Sequence, residues 1–286
     1  MDIVVSPSWE DYELIDSGFG KRYERFGPFK LIRPDPQIIW EPLLPESEWN
    51  KADAFFESRG EKGKWIVKNK IPEKWLMKYK NLSFWGRLTP FKHTGVFPEQ
   101  AAQWEWISEQ IKKEGRQLNL LNLFGYTGIA SLVALENGAK VTHIDASKPA
   151  LSWTKENQIA SGLAEKPLRL IPEDALKFVE REIKRGNKYD AIIMDPPVYG
   201  HGPSGEVWNF NRSFPELINA CKRVLSDNPV FILINAYAIS SSALMLGNVL
   251  RDLNLGGEIE VGELALKEKT SERLLSTGIF ARWSKS

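Results

Sequence analysis

Along Leu118 to Leu132 (LNLLNLFGYTGIASL) an apolar run of Leu118, Leu120, Leu121, Leu123 and Phe124 ends in Gly125-Tyr126-Thr127-Gly128. It then passes into Ile129, Ala130, Leu132 and Val133, which read as the first turns of a helix. The pattern predicts a strand, a tight glycine turn and a helix. The chain on either side repeats the alternation. Ala101 to Gly115 places Ala102, Trp106, Ile107 and Ile111 at helical spacing, with Lys112 and Lys113 in the last turn. Strands are predicted over 118–124, 140–144, 168–171, 190–194 and 230–234. Helices are predicted over 129–136, 148–161, 175–185 and 214–225. Segments such as AIIM and VFILI are apolar at every position, as strands of a parallel sheet covered on both faces must be. The predicted class is therefore α/β with a Rossmann-like sheet, in which ligands bind beyond the carboxyl ends of the strands.

The first 85 residues have another texture. Pro7, Pro28, Pro34, Pro36, Pro42, Pro45 and Pro72 punctuate short runs of aromatic and β-branched residues: 29–33, 37–40 and 64–67. This predicts a small β-rich N-terminal domain over 1–85 ahead of the α/β domain over 86–286. Between Arg59 and Lys80 the residues Arg59, Lys62, Lys64, Lys68, Lys70, Lys74, Lys78 and Lys80 are interleaved with Trp65 and Trp75 and offset by Glu61 and Glu73. Basic residues among aromatics suit phosphates and bases. They equally suit a solvated face whose tryptophans sit in a core.

Composition changes this picture little. The 286 residues are 42% hydrophobic and 26% charged, and Lys+Arg 38 against Asp+Glu 37 gives a net charge of +1, so any polyanion must be held by a local patch. The opening MDIVVSPSWEDYEL lacks a basic stretch followed by an apolar core, and no window resembles a membrane span. Cys221 is the only cysteine, which excludes an internal disulfide and a multi-thiolate metal site. A cytoplasmic protein without membrane or metal partners is the expectation.

Three strand ends carry candidate chemistry. Asp145, twenty positions beyond Gly125, follows the second strand in His143-Ile-Asp-Ala-Ser147, where a carboxylate can accept from both hydroxyls of a ribose; it could instead cap the next helix, as could Ser147. Asp174, before Ala175, can read an amino group on a base or cap a helix. The fourth strand ends in Asp195-Pro196-Pro197-Val198-Tyr199. Paired prolines stiffen that backbone, so an acid and a carbonyl can accept from an amine while a ring stacks on a planar group.

Together, Phe91-Lys-His-Thr-Gly-Val-Phe-Pro-Glu-Gln100, LFGYTG, HIDAS and DPPVY resemble the class I S-adenosylmethionine-dependent methyltransferases. Within them the resemblance is to the bacterial family containing the 23S rRNA methyltransferases of cytosine C5 and guanine N7, especially members with a short N-terminal β domain. It runs from about Leu88 to the C-terminus, and Asp195–Trp208 and Leu275–Trp283 look like that subgroup in particular. The resemblance implies that Leu123, Phe124, Gly125, Tyr126, Thr127 and Gly128 cradle the methionine end of S-adenosylmethionine. Asp145 would hold its ribose, Asp174 with Ala175 its adenine, Asp195 to Val198 would border the methyl group, and Ala146 and Ser147 would also contact the cofactor. His93, Thr94, Gly95, Phe97 and Gln100 would close over the cofactor from the N-terminal side. Asp195, Pro196, Pro197 and Tyr199 would be catalytic, with RNA, in particular rRNA, as substrate.

The chain departs from that family in one respect. Methylating C5 of a pyrimidine needs a nucleophile to add at C6, and members that do so resemble one another in a cysteine after the fifth strand. Here the place reads Ile234-Asn235-Ala236-Tyr237, and Cys221 lies in an apolar helical stripe with Phe214, Leu217, Ile218, Val224 and Leu225. Transfer to nitrogen is the expectation. The glycine-rich loop 200–208 follows the clamp as an expected lid, with His201, Glu206 and Trp208 able to reach a substrate. Three other readings are weighed. A nicotinamide-dependent dehydrogenase lacks here its Gly-x-Gly-x-x-Gly and gives no reason for Asp-Pro-Pro. A catalytically idle RNA-binding relative sits poorly with intact LFGYTG and DPP. A methyltransferase acting on protein or a small molecule shares every motif.

Overall fold

Five parallel strands form one side of the molecule's main sheet, seen in a computed structural model that describes residues 1–59, 62–237 and 241–285. In chain order the strands of this sheet are β1 (Asp2–Val5), β2 (Asn119–Leu123), β3 (Lys140–Asp145), β4 (Leu168–Pro172), β5 (Ala191–Met194), β6 (Phe231–Ala236), β7 (Glu258–Lys267) and β8 (Leu274–Ser284). They are arranged β1-β7-β8-β6-β5-β2-β3-β4. Strands β4, β3, β2, β5 and β6 pair in parallel, and β8 runs antiparallel to β6. The order reverses between β2 and β5, so the carboxyl ends of those two strands diverge into a crevice.

Helices cover the sheet, and three of them begin at a side-chain cap. The helices are α1 (Ala101–Glu114), α2 (Ile129–Glu136), α3 (Lys148–Ala160), α4 (Ala175–Arg185), α5 (Phe210–Val224) and α6 (Ala243–Asp252). Ser147 caps α3 by accepting from the Ala150 N–H, Asp174 caps α4 through the Lys177 N–H, and Asn209 caps α5 through the Arg212 N–H. Every residue of β5 and β6 is buried, and Phe178, Phe214, Leu217 and Cys221 pack into the same core. Truncating one of those phenylalanines to alanine would cost about 3–5 kcal/mol.

The chain divides into two compact units. The first holds Met1–Val4, Ala102–Leu264 and Thr277–Ser286; the second holds Val5–Ala101 and Ala265–Ser276. A single cut at 85/86 cannot express this division, because the second unit takes in a segment that returns from the far end of the chain. The second unit is β-rich. Its five-stranded sheet runs through Tyr12–Gly18, Lys21–Phe26, Phe29–Pro34, Ala54–Arg59 and Lys62–Val67, and a separate hairpin pairs Trp75–Tyr79 with Leu82–Gly86. Its interior holds an ion pair: Glu24, fully buried, accepts from Arg33 Nε and Nη2 at 2.7 Å each and from the Tyr12 hydroxyl at 2.9 Å. The Arg33 and Arg22 guanidiniums hold the Glu24 carboxyl below its usual range against the opposing effect of burial, which is the largest single influence on it.

Two sequence expectations are corrected. Residues 37–40 form no strand; Pro36 lacks a donor, and the carbonyls of Ile38 and Trp40 accept from Gly20 and Phe19 of a neighbouring turn. Helix α5 starts one turn earlier than the apolar stripe indicates, because Asn209 supplies the cap. Strands β1, β7 and β8 and helix α6 went unread, although α6 buries Ala243, Leu246, Gly247 and Leu250 at helical spacing.

Candidate functional site

Two glycines shape the turn after β2, for different reasons. Gly128 lies in left-handed backbone (φ 83°), where a side chain is strained and would also meet Thr154. Gly125 is absent from the left-handed positions; a Cβ there would instead overlap the ring of buried His143. Phe124 (φ 57°) and Tyr126 (φ 51°) are left-handed without being glycine, a strain that marks functional turns. It is held in place from α3. Thr154 Oγ1 donates to the Tyr126 carbonyl at 2.8 Å and Asn157 Nδ2 to the Thr127 carbonyl at 2.9 Å. Beneath the turn, Asn122 Nδ2 donates to Ser131 Oγ, and Ser131 Oγ lies 2.9 Å from His143 Nδ1. Burial pushes the His143 pKa down to about 4, so the ring is neutral at neutral pH.

Asp145 closes the turn from β3. Its Oδ2 accepts from the Tyr126 N–H and its Oδ1 from the Ser147 N–H, both at 2.8 Å. Burial raises its pKa and the two N–H groups oppose the shift. Capping of α3 falls to Ser147, which leaves Asp145 for the turn. Ala146 and Ser147 follow directly at the head of that helix. Asp174 does cap its helix, accepting from the Lys177 N–H at 3.0 Å through Oδ1, and Ala175 is buried beside it.

The Asp-Pro-Pro segment leaves β5 next to the turn. Met194 pairs with Leu123, and the Asp195 N–H donates to the Leu123 carbonyl at 3.4 Å. Leu123 itself is a core side chain, so only its backbone faces the crevice. Pro196 is buried, while Pro197, Val198 and Tyr199 are exposed. Trp208 ties the two strand ends together. Its indole donates to the Pro197 carbonyl at 2.6 Å and packs at 4.8 Å between centroids against Phe124.

The expected lid is instead a short antiparallel hairpin, Tyr199–His201 with Val207–Asn209. Glu206 folds back on it, pairing with Lys177 and accepting from the Ser204 N–H at 2.9 Å, and Trp208 is 4% exposed. Trp208 therefore cannot reach a substrate; it braces the prolines. His201 remains exposed, its ring edge-on to Tyr199 at 5.3 Å. Cys221 has no exposed surface, and burial pushes its thiol pKa far up.

His93, Thr94, Gly95, Phe97 and Gln100 belong to the second unit. There the His93 and Phe97 rings lie 5.1 Å apart, Gly95 takes φ 88°, and Phe97 precedes a 3-10 turn over Pro98–Gln100. Burial first, then Arg33, Lys92 and Arg22, bring the His93 pKa down to about 4. Thr154, Asn157, His143 and Trp208 escaped the sequence reading as shapers of the site. The available signal was a pair of buried-type polar residues three apart on one helix, Thr154 and Asn157.

The model of a family described as S-adenosylmethionine-dependent methyltransferase matches residues 58–252. The ribosomal RNA large subunit methyltransferase K/L of Shewanella frigidimarina is 33% identical over 150 residues, which are 52% of this chain and 20% of that protein. The chain thus matches about a fifth of the length of such curated relatives. The crystal structure of an S-adenosylmethionine-dependent methyltransferase from Agrobacterium tumefaciens superposes with a TM-score of 0.97 at 42% identity, covering 100% of this chain and 94% of that one. A methyltransferase from Streptococcus mutans shares the fold, with a TM-score of 0.68 at 20% identity over 92% of this chain and 71% of that one.

Proposed function

Since the chain belongs to the S-adenosylmethionine-dependent methyltransferase family, we propose that it transfers the methyl group to a nitrogen of a nucleobase in RNA, with ribosomal RNA as the source of that base. The residues present fit the cofactor. Each oxygen of Asp145 takes one backbone N–H and keeps a second lone pair, which suits paired ribose hydroxyls. The turn from Phe124 to Gly128 would hold the methionine end, and Asp174, whose Oδ1 caps α4, would accept from an exocyclic amine through Oδ2. When bound, S-adenosylmethionine supplies an electrophilic methyl group on a sulfonium.

What carries the nitrogen assignment is the rigid end of β5. Two prolines stiffen the segment and the Trp208 hydrogen bond holds the Pro197 carbonyl, beside the strand pairing of Met194 with Leu123, and the Asp195 carboxylate at the head of the segment would accept from an amine. An amine donating to that carboxylate and to a backbone carbonyl has its lone pair oriented by position alone, and Asp195 can take the proton released. Tyr199, exposed at the head of the hairpin, would stack on the base. The alternative chemistry at C5 needs an accessible thiolate, and the only cysteine is sealed in the core. RNA as acceptor is supported by the names of the relatives and by no feature of this crevice. A cytoplasmic location accords with that acceptor.

The test is incubation of the protein with radiolabelled cofactor and RNA from a strain lacking its gene, followed by mapping of the product. Label on a base nitrogen is the expected result. Label confined to protein or small molecules overturns the RNA acceptor, and label at cytosine C5 overturns the nitrogen.

A further inference from the structure

Within the basic stretch read between Arg59 and Lys80, Glu61 and the side chains of Arg59 and Lys62 lie outside the described residues. Trp75 is core at 5% exposure, and Trp65 packs on Phe56 and donates to the Thr89 and Phe91 carbonyls. A different aromatic surface adjoins the Asp-Pro-Pro segment itself. The hairpin Tyr199–His201/Val207–Asn209 has two unlike faces. Register sets Gly200 opposite Trp208 on one, and Tyr199 opposite Asn209 and His201 opposite Val207 on the other. The first face is committed to structure: Trp208 lies against Phe124 and holds the Pro197 carbonyl. Glu206, just ahead of the return strand, pairs with Lys177 of α4. The second face is open. Tyr199 is 57% and Val207 60% exposed, and His201 is exposed as well.

Two three-residue strands, at about 3.3 Å per residue and about 4.8 Å apart, give this face a span on the order of 10 Å each way. A stable protein partner buries about 800 Å² per side, several times what such a ledge offers, whereas a nucleobase matches it. The chemistry agrees. The outward side chains Tyr199, His201, Val207 and Asn209 supply two rings, one aliphatic group and one amide, with no acid among them to repel a phosphate. The Tyr199 and His201 rings meet at 88° with centroids 5.3 Å apart. Two bases lying one on each ring would be nearly perpendicular and could not stack on one another.

We propose that this face takes the nucleotide beside the target base, its base lying on the His201–Val207 pair while the target base stacks on Tyr199, so that the acceptor is RNA unstacked at that step, a single-stranded or loop segment and not a duplex. The proposal rests on the RNA acceptor proposed above and names the form in which that RNA is taken. Cross-strand partners hold their Cβ atoms about 5 Å apart, so the imidazole and the Val207 methyl groups form one ledge, and stacking of that kind accepts any base. Splaying two neighbours apart costs little in a loop and much in a duplex, where pairing and stacking must both be broken. Arg212, exposed on the first turn of α5 three residues past Asn209, supplies a phosphate contact.

The experiment uses the full chain, radiolabelled S-adenosylmethionine and a synthetic RNA 12-mer spanning the nucleotide that takes label in RNA from a strain lacking the gene. The single-stranded 12-mer should have a kcat/KM at least about tenfold above that of the same strand paired with its complement. His201→Ala with Val207→Ser should raise KM for the 12-mer about tenfold, leaving kcat at saturating RNA and calorimetric S-adenosylmethionine affinity unchanged. His201→Phe alone, which keeps a ring, should stay close to the unmodified protein. An abasic site at one neighbour of the target should cost the unmodified protein as much, and should cost the double variant nothing further. Arg212→Gln should flatten the slope of log affinity against log salt by ~0.7. An unchanged KM in the double variant, losses that add for an abasic site at either neighbour, or equal rates on the duplex overturn the proposal. The acceptor assignment fails separately. If RNA takes no label, anisotropy with a labelled single-stranded 12-mer of mixed sequence decides the surface: binding weakened about tenfold in the double variant keeps the surface and drops the acceptor, and equal binding removes both. Label on a protein that disappears with the double variant would give the face to a protein and overturn both.

Discussion

The ring of His143 occupies the space into which a side chain on Gly125 would project. A glycine in a cofactor turn is ordinarily explained by the ligand's need for close approach, but here the first obstacle to a methyl group is the protein's own imidazole. Gly125→Ala should therefore displace the turn and weaken S-adenosylmethionine binding at least tenfold. Adding His143→Ala should recover part of that loss, with a coupling of about 1–3 kcal/mol in the cycle. Calorimetric titration of the four proteins decides the point. A double variant as weak as Gly125→Ala alone would mean that the ligand, and not His143, excludes the side chain.

His143 also ties stability to pH. Its folded pKa, about 4, lies below the ordinary 6.5, as does that of His93, in both cases chiefly through burial. The unfolded chain takes up these protons first. The contribution is complete above about pH 6.5 and is lost as the pH falls toward 4. For fully buried His143 the loss is on the order of 3 kcal/mol, the worth of moving its pKa from 6.5 to about 4. Urea unfolding at pH 7, 6, 5 and 4.5 should show stability falling across this window, and His143→Gln should flatten the fall. An unchanged slope in His143→Gln would remove the histidine from the account. Glu24, Glu182 and Asp190, whose pKa values are lowered, stabilise the fold across the upper part of this window and begin to lose that contribution only at its acid end.

How much of this was legible in the sequence depends on where the cause resides. The strand, turn and helix around Gly125 were readable because an apolar run and two glycines encode them locally. The strand-end positions of Asp145 and Asp195 were readable because the apolar runs before them mark where parallel strands stop. His143 was not, since a histidine inside a strand declares nothing until the register sets it beneath Gly125. Trp208 was misread for a similar reason: its neighbours are glycines and polar residues that indicate an open loop, and only the pairing of Gly200 with Trp208 turns the indole back to Pro197 and Phe124. Trp75 and Trp85 show the limit of composition. Both sit within or beside the same basic stretch, and strand alternation alone buries one and turns the other outward.

Cys221 should be dispensable for chemistry. Cys221→Ala removes a fully buried thiol from the core of the first unit, and a loss of about 1 kcal/mol in unfolding free energy is expected. The initial rate of methyl transfer at saturating cofactor should stay within about twofold of the unmodified protein, since that factor is worth less than 0.5 kcal/mol. A rate that collapses while the fold is kept would reinstate a thiolate route.

Asp195 should be indispensable. Asp195→Ala would remove the proposed proton acceptor and half of the proposed amine clamp, so transfer should fall by at least about a hundredfold, while S-adenosylmethionine affinity stays within a few-fold. Single-turnover transfer and calorimetry separate the two effects. Activity that survives the substitution would show the clamp to be misplaced.

Trp208→Phe is a finer probe of the same clamp. The ring remains to pack against Phe124, and what is lost is one hydrogen bond from the indole to the Pro197 carbonyl. Such a bond contributes about 1 kcal/mol to stability, so the fold survives. Pro197 is exposed and can find water, but water does not fix its direction. If rigidity of the Asp-Pro-Pro segment is what orients the acceptor amine, the chemical step should slow by about tenfold, the worth of roughly 1.4 kcal/mol, with cofactor affinity unchanged and the effect confined to kcat. An effect on S-adenosylmethionine affinity with an unchanged chemical step would assign Trp208 to the β2 turn through Phe124 instead. No effect on either would remove the brace from the mechanism.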